Sequence, residues 1–137
     1  EKSLVQITEK GVAEIAAQGR VVLVGRAASA VLSGEHDALH VKIVAPTPLR
    51  IDRIRNRFGV DAREAERRVR ESDANRARYH SHHYDRDWND STHYHLVLNT
   101  GALGLDGATA VIIGRAKTIW PDATAERRGA VQGGRSD

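Results

Sequence analysis

The stretch LHVKIVAPTP, residues 39–48, decides the fold class. Apolar residues alternate with a histidine and a lysine over its first positions, and this alternation predicts a strand over residues 39–45. Pro46 lacks a backbone N–H and ends the strand, while Pro48 suits the first turn of a helix that we expect to run to about Arg57. A strand followed at once by a helix is typical of α/β proteins.

Further elements of both kinds lie on either side of this unit. The apolar run 21–24, between Gly19 and Gly25, predicts a strand buried on both faces of a parallel sheet. A third strand is expected over residues 94–98. The expected helices cover residues 3–18, a segment from the N-cap Asp61 with its capping-box partner Glu64 to about Tyr79, and a final segment from about Leu105 to Pro121. We therefore expect one layered α/β domain over residues 1–121, with a mostly parallel sheet, and a flexible tail over 122–137.

Composition bounds the class of protein. The 137 residues are 40% hydrophobic and 28% charged, as expected for one soluble domain. Cysteine is absent, which excludes disulfides and thiolate zinc sites, and no apolar run is long enough to span a membrane. No secretory leader is visible, so we expect a cytoplasmic protein. Because the sequence starts at Glu1 rather than Met, we expect it to be part of a longer chain.

Positive charge is concentrated in one stretch. The formal net charge is +3, yet residues 50–78 hold ten arginines against six carboxylates. This balance suits phosphorylated small molecules, nucleic acid or an anionic surface. Aromatic residues make up only 4%, too few for an obvious base-stacking platform, so nucleic acid is the least favoured of these partners. Arg50, Arg53 and Arg57 share one helix face, which is either solvated or a lid that folds over phosphates.

The carboxyl ends of the parallel strands are the expected ligand-binding edge. Arg26 follows the run 21–24 and Gly25 directly, and its guanidinium either turns to solvent or contacts an anion at this edge. Ser29 and the backbone amides of residues 26–29 add further donors for an anion.

Two charged residues of the helix over 61–79 point in an unusual direction. Ala65 and Val69 mark its apolar stripe, and the same stripe reaches Asp73 and Arg76 one and two turns later. Inward charges are costly unless they are paired or face a ligand. Two interpretations stay open: an i,i+3 ion pair that braces the helix, or a ligand-facing pair.

Histidines are concentrated in a polar loop predicted over residues 80–93 and in the strand that follows it: His80, His82, His83, His93 and His95. Such loops can bind Zn²⁺ or Ni²⁺. No carboxylate–histidine pair has helical ligand spacing, however, so the sequence favours a loop without a metal site.

Several nucleotide and nucleophile motifs do not occur in the sequence. They are the phosphate-binding loop G-x-x-x-x-G-K-[ST], the dinucleotide motif G-x-G-x-x-G and the nucleophile elbow G-x-S-x-G. Nothing visible in these residues is suited to hold the β and γ phosphates of ATP.

Several short motifs occur in a recognisable order. They are Gly25-Arg26, HVKIVAP at 40–46, RIDRI at 50–54, ESDANR at 71–76 with Tyr79, Trp88 in an acidic loop, and YHLVLNT at 94–100. Together they resemble the cytidylate kinase-like family of P-loop nucleoside monophosphate kinases over about residues 3–120. The resemblance implies a three-layer parallel sheet flanked by helices, here lacking the N-terminal P-loop strand and helix.

The resemblance also implies an activity, the transfer of a phosphoryl group from ATP to CMP or a related monophosphate. Asp73 and Arg76 match the D-x-x-R of the family and would act on the acceptor nucleotide and the transferred phosphate. With the candidates above, the nucleotide-binding residues would be Arg26, Ser29, Arg50, Arg53, Arg57, Asn99 and Thr100. ATP and Mg²⁺ are expected for the complete family fold, although neither has an evident site in this chain.

Two functional hypotheses follow. In the first, the complete protein is a nucleotide phosphotransferase, and this chain is inactive unless a P-loop segment is supplied by a larger parent chain or a partner. In the second, the chain is a non-enzymatic nucleotide-sensing or regulatory module. Both predict a phosphorylated small molecule as ligand, and self-association is compatible with either.

Overall fold

The computed structural model of the chain describes residues 2–25, 27–34 and 37–122. Arg26 and the predicted tail beyond Asp122 lie outside the described residues. In chain order the elements are α1 (Lys2–Ala17), α2 (Ala28–Val31), β1 (Val41–Val44), α3 (Thr47–Phe58), α4 (Ala62–Tyr84), a short 3-10 turn (Ser91–His93), β2 (Leu96–Asn99) and α5 (Thr100–Ile119). The described chain is thus a mostly helical α/β fold.

The sheet in the described residues consists of β1 and β2, which run parallel. Val41 lies opposite Leu96, and α3 and α4 form the connection between the strands. Pairing begins where the backbone N–H groups of His95 and Leu96 both donate to the carbonyl of His40, at 2.8 and 3.2 Å. Each strand is shorter than predicted. Pro46 prevents the ladder from continuing after β1 because it has no N–H to donate.

The prediction of a buried strand over residues 21–24 is wrong. These residues form no ladder, and Val22 and Val24 are 91% and 89% exposed. A strand exists only where a neighbour pairs with its backbone groups, and no described segment lies alongside this one to do so. An apolar run alone is therefore insufficient evidence for a strand.

The start of α3 near Pro48 and the N-cap at Asp61 are confirmed, whereas the Glu64 side chain pairs with Arg67 and Arg68 instead of completing the predicted capping box. Pro48 lies in the first turn of α3, and Gly59 ends the helix with a left-handed φ of 63°, its N–H donating to the carbonyl of Arg55 at 2.8 Å. Asp61 is the N-cap of α4, and its carboxylate accepts the N–H of Glu64 at 2.8 Å. These local signals depend only on residues within one turn, so they can be identified from sequence.

Helix α4 continues past its predicted end at Tyr79, and the first part of the predicted loop 80–93 is helical. It runs to Tyr84. The rings of Tyr79 and His83 meet edge-on one turn apart, with centroids separated by 4.7 Å, and His80 is buried. Ring contacts and burial thus extend the helix through residues whose polarity suggested a loop.

Helix α5 follows β2 without a loop and begins well before its predicted start near Leu105. Asn99 caps it, and its side-chain oxygen accepts two backbone N–H groups. Gly104, with a φ of 70°, kinks the helix after its first turn. At the far end, the indole N–H of Trp120 donates to the carboxylate of Asp37, which ties α5 to the segment before β1.

The core is small. Helix α3 packs on α4, α5 packs on both strands, and α1 packs on α2. The buried apolar residues are Val12, Ala27, Ala30, Leu32, Ala65, Val69, Leu98 and Ala108. None of the described large side chains is fully buried. Across the described residues, no helix combines the length and apolar character needed to cross a membrane.

Candidate functional site

A two-pronged ion pair joins the start of α3 to the middle of α4. Both terminal nitrogens of the Arg50 guanidinium donate to the two carboxylate oxygens of Asp73, each at 2.6 Å. Both side chains are about two-thirds buried. The hydrogen bonds from Arg50 lower the pKa of Asp73 against the opposing effect of burial, and the same bonds raise the pKa of Arg50. This pair fixes the orientation of both groups.

Arg76 is the second cation near Asp73. Its guanidinium lies 3.7 Å from the Asp73 carboxylate, and its side chain is 55% exposed. The i,i+3 pair considered in the sequence analysis therefore exists, but Asp73 makes its short hydrogen bonds to Arg50. The Arg76 guanidinium also lies 5.8 Å from the centre of the Trp88 ring. Arg76 thus presents much of its charge to solvent beside an aromatic surface.

Lys42 joins this group from the middle of β1. Its ammonium donates to the backbone carbonyl of Trp88 at 2.7 Å and to the side-chain oxygen of Asn89 at 3.1 Å. It also lies 4.1 Å from the centre of the Trp88 ring, within the range of a cation–π interaction. Burial lowers the pKa of Lys42, while the charges of Asp87 and Asp73 oppose that change. We call Lys42, Arg50, Asp73, Arg76 and Trp88 the cationic cluster.

Sequence reasoning did not include Lys42 among the candidates. The available signal was its position: a lysine between Val41 and Ile43 in a strand, on the face opposite to theirs. A cation within an otherwise apolar strand needs a partner. Trp88 supplies that partner from 46 residues away, a contact that no local spacing reveals.

Arg53 and Thr100 meet at the carboxyl ends of the two strands. Arg53 donates to the Thr100 hydroxyl at 3.0 Å, and that hydroxyl donates to the carbonyl of Val44 at 3.4 Å. Thr100 is only 3% exposed. A Cβ placed on Gly101 would lie 2.6 Å from the Pro46 ring, so the segments that follow β1 and β2 touch here. This close approach requires glycine.

The other predicted nucleotide-binding residues are more dispersed. The Asn99 side chain is committed to capping α5, Arg57 lies 5.3 Å from the Phe58 ring near the end of α3, and the Ser29 carbonyl accepts a bond from Arg86 at 3.2 Å. The partners of these three residues, which are the start of α5, Phe58 and Arg86, do not belong to the cationic cluster. The predicted contact through Arg26 lies outside the described residues.

The cationic cluster is suited to an anionic ligand. Arginine and lysine side chains from two helices and a strand come together here, and Arg50 belongs to the helix that follows the carboxyl end of β1, the strand end at which α/β proteins bind ligands. Within the described ranges, no group of three histidine, aspartate or glutamate side chains is placed to hold a metal ion.

Comparison with known proteins adds to this geometry. The cytidylate kinase-like family model matches residues 1–102. The chain is 32% identical over 107 residues to a cytidylate kinase of Methanopyrus kandleri, covering 72% of this chain and 55% of the relative. It is also 32% identical over 112 residues to a cytidylate kinase of Thermococcus sibiricus, covering 82% and 57%. The chain thus spans little more than half the length of these relatives.

A solved structure shares the fold. The crystal structure of an uncharacterised protein from Eubacterium ventriosum superposes with a TM-score of 0.73 at 26% identity, covering 83% of this chain and 63% of that one. The family match includes both strands, α3, α4 and every member of the cationic cluster. The resemblance read from the ordered motifs is therefore confirmed, and the chain belongs to the cytidylate kinase-like family.

Proposed function

We propose that this chain carries the acceptor-binding part of a nucleoside monophosphate kinase, which transfers a phosphoryl group from ATP to CMP or a related monophosphate. The observation that carries the proposal is the cationic cluster in a member of this family, with Arg50 and Arg76 on either side of Asp73. In this proposal the full fold is a three-layer P-loop-kinase sheet, whose phosphate loop lies in a segment outside this sequence.

The proposed roles of Asp73 and Arg50 follow from their hydrogen bonds. Phosphoryl transfer needs little covalent help from the protein and depends mainly on positioning and on cations beside the phosphate oxygens. A two-pronged bond from a carboxylate locks a guanidinium in one plane, so Asp73 would hold Arg50 at a fixed angle near the start of α3.

Arg76 would make the direct contact with the acceptor. It is more exposed than Arg50, and only one contact of ion-pair length, at 3.7 Å, joins it to Asp73. The Trp88 ring beside it offers a flat surface, and Lys42 below that ring adds a further positive charge. Both features favour a planar base with a phosphate attached.

Calorimetric titration of the chain with CMP, AMP and ATP tests the binding part of the proposal. We expect saturable CMP binding that weakens about tenfold, or by about 1.4 kcal/mol, in Arg76→Gln. Arg63→Gln is the matched control because Arg63 is an exposed arginine of the same helix outside the cationic cluster. The affinity of the Arg63→Gln variant for CMP should equal that of the wild type. No CMP binding by the wild-type chain, or an equal loss in both variants, would contradict the proposal.

Phosphoryl transfer needs a separate measurement. ADP release from ATP in the presence of CMP should be followed in any longer polypeptide that contains this sequence together with a phosphate loop. We expect CMP-dependent ADP release that falls in Arg76→Gln and not in Arg63→Gln. Tight CMP binding with no transfer in that polypeptide would instead support the nucleotide-sensing module.

A further inference from the structure

A surface pocket of about 430 Å³ lies at the opposite edge of the sheet from the carboxyl ends of the strands. His40 and His95, which directly precede β1 and β2, form part of its wall. The remaining lining residues are Ser33, Arg86, Thr92, His93 and Tyr94. The carboxyl ends of the strands, where the predicted nucleotide-binding residues Asn99 and Thr100 lie, contribute no residue to the lining of this pocket. The pocket is therefore a second place at which this chain gathers polar side chains.

The lining of the pocket is rich in hydrogen-bonding side chains, although one Arg86 nitrogen already donates to the carbonyl of Ser29 and the Tyr94 hydroxyl to the carbonyl of Trp88. It contains the Arg86 guanidinium, three imidazoles and three hydroxyl groups, and no carboxylate belongs to the described residues that line it. The Asp90 carboxylate lies beside this lining: it accepts the Thr92 hydroxyl at 2.6 Å and lies 3.6 Å from the Nε2 atom of His93. Side chains of this kind bind oxyanions, because guanidinium, imidazole and hydroxyl groups all donate to phosphate oxygens.

The hydrogen-bonding of His95 fixes which of its nitrogens carries a proton. Its Nδ1 atom accepts the backbone N–H of His40 at 2.8 Å, so the neutral ring is protonated at Nε2 and donates from there. The two imidazoles also stack, with centroids 5.1 Å apart and planes within 7° of parallel. Although His95 is exposed, the hydrogen bond from the His40 backbone holds its ring in one orientation.

His40 has a buried nitrogen without a partner. Its Nε2 atom is inaccessible to solvent and forms no hydrogen bond within the described part of the chain, while its ring bonds on the other side to the backbone of Leu32. Burial lowers the pKa of His40, as do the charges of His95 and Arg86, and the bond to Leu32 opposes them. A buried polar atom left unpaired is unfavourable, and a negative charge in the pocket beside the ring would stabilise its protonated form.

We propose that this pocket binds a phosphate-class oxyanion, either inorganic phosphate or the phosphate of a phosphomonoester, and that binding is coupled to protonation of His40. The anion would accept hydrogen bonds from Arg86 and from the Nε2 atom of His95, and its negative charge would favour the protonated form of the neighbouring His40 ring. The hydroxyl groups of Thr92 and Tyr94 already donate to the Asp90 carboxylate and to the Trp88 carbonyl, so they line the pocket without donating to the anion.

The sign of the pH dependence follows from this coupling. In the free protein His40 is neutral near pH 7, and a bound anion raises its pKa by offsetting the positive charges around it. Anion affinity therefore increases as the pH falls from the pKa of His40 in the anion-bound state towards its lowered pKa in the free protein, by at most about tenfold per pH unit because one proton is taken up. Other titratable or charged groups lie near the pocket. His93 and Asp90 belong to the region of the 3-10 turn, and His80 belongs to α4. Lys42 and Asp87 lie farther from the pocket.

Imidazole NMR of the wild-type chain is the primary test. Sulfate serves as the first probe because it keeps both negative charges over the range in which histidine titrates, about pH 5 to 8. We expect saturable shifts of the His40 and His95 ring resonances, a higher His40 pKa in the presence of sulfate, and tighter binding at lower pH. Ring resonances that do not move at saturating sulfate would overturn the proposal.

Variants and further ligands sharpen the test. His40→Gln should remove the pH dependence of sulfate affinity, and Arg86→Gln should weaken binding at every pH, whereas Arg63→Gln should change neither. An unchanged pH slope in His40→Gln would refute the coupling. Titration with inorganic phosphate and with glycerol phosphate then distinguishes the two ligand classes. A pocket for a phosphomonoester should bind glycerol phosphate more tightly, whereas a pocket for the free ion should bind inorganic phosphate more tightly.

The two sites can be tested independently. CMP binding at the cationic cluster should be sensitive to Arg76→Gln and insensitive to His40→Gln, while sulfate binding should show the reverse. Failure of one proposal therefore leaves the other measurable.

Discussion

Asp73 illustrates what sequence can and cannot reveal about a single residue. Helical spacing predicts that Asp73 and Arg76 face inward and identifies them as a possible pair. The Asp73 side chain is largely buried, but the prediction is wrong for Arg76, whose side chain is 55% exposed. The dominant partner, Arg50, lies 23 residues away on another helix, and periodicity within α4 carries no information about it. Lys42 was missed for the same reason, because its partner Trp88 comes from a distant loop.

Replacement of Asp73 should therefore cost stability as well as binding. Asp73→Asn leaves the largely buried Arg50 guanidinium without its counter-charge, and we expect a loss of about 1–3 kcal/mol in the free energy of unfolding, measured by urea denaturation. Glu66→Gln is the control because its pair with Arg70 is exposed, and it should change stability by less than about 0.5 kcal/mol. Equal effects of the two substitutions would refute a special role for the Arg50–Asp73 pair.

His80 should make folding stability depend on pH. Burial lowers its pKa, followed by the charges of Arg86, Lys42 and His93, so the folded protein favours the neutral ring. A histidine with a lowered folded pKa contributes stability above its unfolded pKa of about 6.5, and this contribution is lost as the pH falls through the folded pKa. His40 acts in the same direction.

The urea midpoint should consequently decrease between about pH 7 and pH 5, and His80→Gln should reduce that decrease. His82→Gln, at an exposed position of the same helix, serves as the control. A pH profile that His80→Gln leaves unchanged would show that the buried ring does not contribute.

At the scale of elements, the accuracy of prediction follows the range of the interactions involved. The N-cap at Asp61 was predicted because it is a contact within one turn. The strand over residues 21–24 was not, since a strand needs a partner that the apolar pattern does not specify. The end of α4 at Tyr84 was misplaced because ring packing, rather than local polarity, sets it.

Asn99 permits a test that separates an element's stability from ligand binding. As the N-cap of α5, it accepts the N–H groups of Gly101 and Ala102. Asn99→Ala should lower the free energy of unfolding by about 1 kcal/mol, and Asn99→Ser should restore most of it because serine also caps helices.

Nucleotide titration of the stable Asn99→Ser variant then tests the contact that the resemblance implies. If the amide contacts nucleotide, affinity should fall in this variant although stability is retained. If capping is the whole role of Asn99, the affinity of Asn99→Ser should equal that of the wild type.

For the molecule as a whole, the family was predictable, and the extent of the core was not. The ordered motifs identified the family because the order and spacing of residues along the chain can be read without knowing which residues are in contact. Burial depends on which segments meet, and it falls on small residues such as Ala65 and Ala108 while Val22 and Val24 stay exposed.

The same substitution at two valines measures this difference. Val69→Ala removes two buried carbon atoms and should cost about 2 kcal/mol in urea unfolding, because Val69 is 6% exposed. Val22→Ala, at a position 91% exposed, should leave the unfolding free energy within about 0.5 kcal/mol of the wild type. A comparable cost at Val22 would show that the segment is buried in solution.

The Arg50–Asp73 pair also sets a threshold for what can bind beside it. Any anion that approaches Arg50 must compete with a carboxylate that already occupies two of its donors at 2.6 Å. A singly charged ion such as chloride interacts too weakly with Arg50 to replace the carboxylate. A doubly charged phosphate that also contacts Arg76 interacts more strongly. The pair would thereby act as a filter, keeping the site closed to the abundant small anions of the cell and open to a ligand that presents two charges at once.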